Sequence, residues 1–122
     1  MLQFHCSVHG HTAAVPLPVT FEAVLGGLEL LPRLFIEPDG SFVWRGTTEA
    51  GQAWQVDGNL VDRGQVLDYV ELHGECKGER LDEILRLLGW PAAELTFVLP
   101  RRGVVLTEEA FRRQAATPAG AG

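Results

Sequence analysis

Between Gln65 and Trp90 the chain reads QVLDYVELHGECKGERLDEILRLLGW, and the second half of that stretch has little conformational choice. Leu81, Ile84, Leu85 and Leu88 recur at helical spacing, while Glu79, Asp82, Glu83 and Arg86 occupy the opposite side. Glu79 and Asp82 oppose the positive end of the helix dipole, Gly89 suits the left-handed C-terminal position, and Pro91 stops continuation. The spacing predicts a helix over 79–88 whose stripe anchors a core, each buried leucine or isoleucine contributing roughly 1.5–3 kcal/mol. Immediately upstream, alternation predicts a strand with Val66, Val70 and Leu72 on one face, and Leu67, Tyr69, Glu71 and His73 on the other.

Residues 2–9 alternate in the same way: Leu2, Phe4, Cys6 and Val8 form one face, and Gln3, His5, Ser7 and His9 the other. Pro16 and Pro18 confine residues 13–19 to a sheet edge or an extended loop. Thr20 is placed to cap a helix carrying Phe21, Val24, Leu25 and Leu28, but Gly26 and Gly27 together oppose that helix by roughly 2 kcal/mol. Pro38-Asp39-Gly40 marks a hairpin between LFIE and SFVWRG. Asp57-Gly58 reads as a second hairpin turn, Asp62-Arg63-Gly64 as a third, and Pro100 to Gly103 as a fourth between ELTFVL and VVL. Thr107 caps a final helix over 108–115 that turns Phe111 and Ala115 inward.

Several hairpins, a helix, a further hairpin and a helix predict an α+β fold: a mainly antiparallel sheet of five to seven strands with two helices packed on one face. A chain of 122 residues suits a single compact domain, assigned to 1–116, with the apolar-poor TPAGAG at 117–122 expected to be a disordered tail. No apolar run approaches the ~20 residues that span a bilayer, and the N-terminus lacks a signal-like pattern, so a cytoplasmic location and no membrane partner are expected.

The net charge is −6, and residues 57–83 hold eight acids against Arg63, Lys77 and Arg80. Such a surface repels phosphodiester backbones, which argues against nucleic acid as the partner and favours a basic protein surface, with a solvated face that only keeps the protein soluble as the competing reading. Glu71, Glu75 and Glu79 are the candidate acidic contacts, and Arg101 and Arg102 at the last hairpin tip are candidate anchors of the same or another interface.

His5, His9 and His11 share one strand parity, with i, i+2 side chains roughly 7 Å apart, and are the candidate ligands of a transition metal, to which Glu22 or His73 would be added. A solvated strand face is the competing reading of the same histidines. Apart from that metal, no cofactor is expected. Cys6 and Cys76 are too few for a disulfide framework and read as buried, reduced thiols. The chain carries no phosphate-binding loop, dinucleotide fingerprint, G-x-S-x-G or C-x-x-C. The function expected is therefore a non-catalytic interaction or structural module that binds a protein partner or a second copy of itself. A small metal-binding protein using the histidines and a small-molecule carrier are the alternatives.

Overall fold

Phe4, Cys6 and Val8 are buried while His5 between them is exposed and Ser7 half-buried, so the first strand (β1, Leu2–His9) forms as its alternation requires. The computed structural model describes residues 1–116. After β1 come α1 (Phe21–Glu29), β2 (Leu34–Ile36), β3 (Ser41–Thr47), β4 (Ala53–Arg63), β5 (Val66–Cys76), α2 (Gly78–Leu87), β6 (Thr96–Leu99), β7 (Val104–Thr107) and α3 (Glu108–Ala116). The tail expected at 117–122 lies outside the described residues. No helix among those residues is long and apolar enough to cross a membrane.

The strands form one seven-stranded sheet in the order β2-β3-β4-β5-β1-β6-β7, antiparallel at every junction. The chain is α+β, as its pattern predicts. One buried cluster joins the inward residues of the sheet to Val24 and Leu28 of α1, Leu81, Ile84 and Leu85 of α2, Leu88 just beyond it, and Phe111 and Ala115 of α3. All four members of the predicted helical stripe are buried, and Gly89 takes φ 106° at the helix end. Phe111 stacks on Phe97 with ring centroids 4.4 Å apart and meets Phe4 at 6.0 Å, which seats α3 over β1 and β6. Trp44 and Trp54 close the opposite end of the core edge to face at 5.1 Å.

Among the described residues three helices form rather than the two expected. Thr20 caps α1 by accepting from the Ala23 N–H at 3.1 Å. A Cβ on Gly27 would come within 2.6 Å of Leu87 Cδ2, so the glycine that weakens the isolated helix is what lets α1 approach α2. Tertiary packing outweighs the local propensity here.

The Asp57-Gly58 hairpin does not exist. Both residues lie inside the continuous strand β4, where Gly58 sits opposite Phe42 of β3. Phe42 lays its ring over the bare Gly58 backbone, and a Cβ there would fall 2.0 Å from Phe42 Cζ. Gly58 answers a close side-chain approach and not a turn. The chain reverses instead at Gly64-Gln65, with Gly64 at φ 67° and Arg63 paired to Val66.

The facing of β5 also differs from simple alternation. Val61 pairs with Tyr69 but Asp62 pairs with Leu67, so Asp68 is an extra residue in a bulge. The bulge shifts the phase: Leu67 is fully buried beside Val70 and Leu72, and Val66 is exposed. Residues 13–19 form no strand. Leu17 N–H donates to Leu67 and Leu67 N–H to Val19, but Pro16 and Pro18 lack the donors to extend the ladder.

Gly58→Ala is expected to cost about 1–3 kcal/mol by overpacking, with much of that loss recovered when Phe42→Leu is added. Urea unfolding of the two single variants and the double variant checks this. Additive losses would show that Gly58 is needed for some reason other than Phe42.

Candidate functional site: the open face of the sheet

The helices of the described residues cover one side of the sheet, and the outward side chains of its other side are exposed or half-buried apart from Thr96, which is buried. Register sets them in rows across the strands. Gln3, Glu75, Gln55 and Arg45 make one row, and His5, His73, Asp57, Val43 and Phe35 the next. Ser7, Glu71, Asn59 and Ser41 make a third, continued on the other side of Ser7 by Val98 and Val105. The face is acidic and imidazole-rich in the middle and apolar at both flanks. Phe35 is 62% exposed and Val105 57%. Arg45 lies over the Phe35 ring, 5.7 Å from its centroid, which holds that aromatic on the surface.

The candidate histidines are dispersed. His5 sits directly opposite His73, ring centroids 4.6 Å apart. His9 stacks on Tyr69 at 5.0 Å, and its Nε2 shares a 2.8 Å hydrogen bond with the Ser7 hydroxyl. His11 lies beyond the end of β1, exposed in the following bend, and Glu22 is in the first turn of α1. Among the described residues no three His, Cys, Asp or Glu side chains gather as a metal-ion cluster would. What the fold brings together is the cross-strand pair His5 and His73, with Asp57 opposite His73 on the far side.

The candidate acids divide similarly. Glu71 and Glu75 stand on the open face, and Glu75 accepts a 3.3 Å hydrogen bond from Gln3. Glu79 is in the first turn of α2, off that face, beside Glu49, Lys77 and Arg80. Other acids of the run are committed to structure: Asp68 to Arg63 at 3.2 Å, Glu83 to Arg80 at 2.9 Å and Asp82 to Arg112 at 2.7 Å. The acidic run is therefore not one surface. Asp57 joins Glu71 and Glu75 on the face, accepting from Gln55 at 3.0 Å. Its assignment to a turn hid it, and the strand period through Val56 and Leu60 was the signal that places it outward.

Arg101 and Arg102 stand in the turn between β6 and β7, and neither forms an ion pair with a described residue. Both cysteines are buried free thiols. Burial pushes the Cys6 thiol far up and the Cys76 thiol up to about 12, which withholds the thiolate a nucleophile needs. Each is expected to react with a disulfide reagent only on unfolding, so labelling at neutral pH should follow the denaturation curve.

Burial lowers the pKa of His9, against the opposing pull of the Asp68 charge and a backbone hydrogen bond to Ala13. A histidine whose folded pKa lies below its unfolded one leaves the unfolded chain holding more protons. Its contribution is present above the ordinary histidine range and is lost as pH falls from there through the lowered value. His9→Gln should flatten the stability profile on the acid side of the ordinary histidine pKa of about 6.5, as measured by urea midpoints. An unchanged profile would place the titration elsewhere. The chain matches no protein-family model, no curated protein and no solved structure.

Proposed function

We propose that this chain is a non-catalytic protein-interaction module that receives a basic partner surface on the open face of its sheet. The observation that carries the reading is the seven-stranded face left uncovered by the helices, with Asp57, Glu71 and Glu75 in the middle and exposed Phe35 and Val105 at its flanks. The acids select the sign of the partner and steer its approach, and the flanking apolar side chains supply area to bury. Arg45 stacked over Phe35 is the anchor, since aromatic and arginine side chains dominate interface energetics.

A second copy is the weaker candidate for this surface, because two such faces would bring their own carboxylates together. Strand addition at the edges is limited too, as β2 has three residues and β7 four. The interior between sheet and helices is filled by buried side chains, which favours surface binding over enclosure of a small molecule.

With the immobilised chain, a basic protein should be retained at about 50 mM salt and released at about 500 mM, where the screening length falls below 5 Å. E71K with E75K should abolish retention, F35S should weaken it, and E79K, off the face, should leave it intact. Retention indifferent to salt and to E71K/E75K sinks the reading.

A further inference from the structure

Where the open face meets the β6–β7 turn lies a groove of about 410 Å³ lined by Gln3, His5, His73, Arg101, Arg102 and Gln114, together with the apolar Phe4, Leu99 and Pro100. Its charge is out of keeping with the chain. Four other surface clefts each include a carboxylate: Glu75 in one, Glu49 and Glu79 in the next, Asp57 and Glu71 beside the histidines, and Glu22 and Asp62 at the far end. This groove has none, in a protein of net charge −6. Glu75, held by Gln3 at 3.3 Å, does not line it, and neither does Asp57, the cross-strand partner of His73.

We propose that this groove is a binding site for a small phosphate monoester. Arg101 and Arg102 bring two guanidinium forks to one wall, and neither is spent on a carboxylate of the described chain. Two fixed positive charges match a group that carries nearly two negative ones near neutral pH, and guanidinium geometry suits its oxygens. His5 and His73, paired across β1 and β5 with ring centroids 4.6 Å apart and planes tilted by 31°, also line the groove, and imidazole nitrogens can donate to further oxygens. The volume exceeds what inorganic phosphate fills and lies within the range of small-molecule sites. The organic portion of the ligand rests on Phe4, Leu99 and Pro100.

The site is assembled from elements far apart in sequence. The β1–β5 register makes the histidine pair, and β6, by pairing with β1, carries the arginine turn to its side. It is independent of the partner reading, which uses Asp57, Glu71, Glu75 and Phe35.

The test is titration with phenyl phosphate, followed by calorimetry and by the imidazole NMR signals of His5 and His73. Saturable binding that shifts both imidazoles is expected, weakened about tenfold or more in R101Q/R102Q and again in H5Q/H73Q, the loss expected for removed charge-assisted hydrogen bonds. R33Q, at an exposed arginine outside the groove, should bind as the wild type does. The arginine variants lie in an exposed turn, and unchanged thermal midpoints would show that lost binding is not lost folding. Absence of saturable binding, binding unaffected by R101Q/R102Q, equal weakening by R33Q, or equally tight binding of benzoate overturns the assignment.

Discussion

The structure depends on the insertion of β1 between β5 and β6. Its seven register pairs with β5 run from Leu2 opposite Cys76 to Val8 opposite Val70, and its other edge holds Thr96 to Val98. Without that strand the meander β2–β5 and the hairpin β6–β7 share no ladder, and the sheet falls into two pieces. The same insertion supplies Phe4, Cys6 and Val8 to the core and sets His5 against His73 on the outside. One ladder thus joins the two sides of the sheet, so the chemistry of the open face is fixed by the packing of the closed one. Its partners lie far away in sequence, which makes it a long-range pairing of the kind that closes only after large loops are ordered.

A second link holds the helices to each other. Arg112 on α3 pairs with Asp82 of α2 at 2.7 Å and with Glu108, and lies 5.2 Å from the centroid of Trp90, whose indole N–H donates to Glu108 at 2.9 Å. The side chains of Arg112 and Asp82 are 23% and 25% exposed, a setting in which losing one partner strands the other's charge in a poorly solvated place. The acids and the base of this junction serve the fold, as do the pairs of Asp68 and Glu83, so the dense acidic run of the sequence puts Asp57, Glu71 and Glu75 on the open face and spends other carboxylates on structure. Charge count along the chain and charge displayed on a surface are separate quantities.

Much of this was legible in the residues, and the failures have identifiable causes. The β1 alternation, the Leu81 to Leu88 stripe, the Thr107 cap and the two cysteines behaved as their local chemistry requires. Gly58 misled because a glycine in a strand and a glycine in a turn look alike until its neighbour is known, and the neighbour is Phe42 on another strand. Gly27 misled for a related reason, its merit being an approach by Leu87 from a different helix. The bulge at Asp68 moved Leu67 across the sheet, and no period-2 reading reveals an inserted residue. Of the candidate site residues, Glu71 and Glu75 reached a common face, Glu79 did not, and the three N-terminal histidines took three different surroundings.

Periodicity and capping chemistry by themselves determined that this chain makes antiparallel strands and an amphipathic helix around an apolar interior, because those signals depend on residues within a few positions of one another. Only the tertiary structure decided which strands are neighbours, and therefore that His5 faces His73, that Asp57 joins Glu71 and Glu75, and that Arg101 and Arg102 share a groove with the histidines. Those relations come from the register of strands distant in the chain, set by the one arrangement that buries Val8, Leu67, Leu72, Leu85 and Phe97 together while every strand in the sheet finds a hydrogen-bonded neighbour.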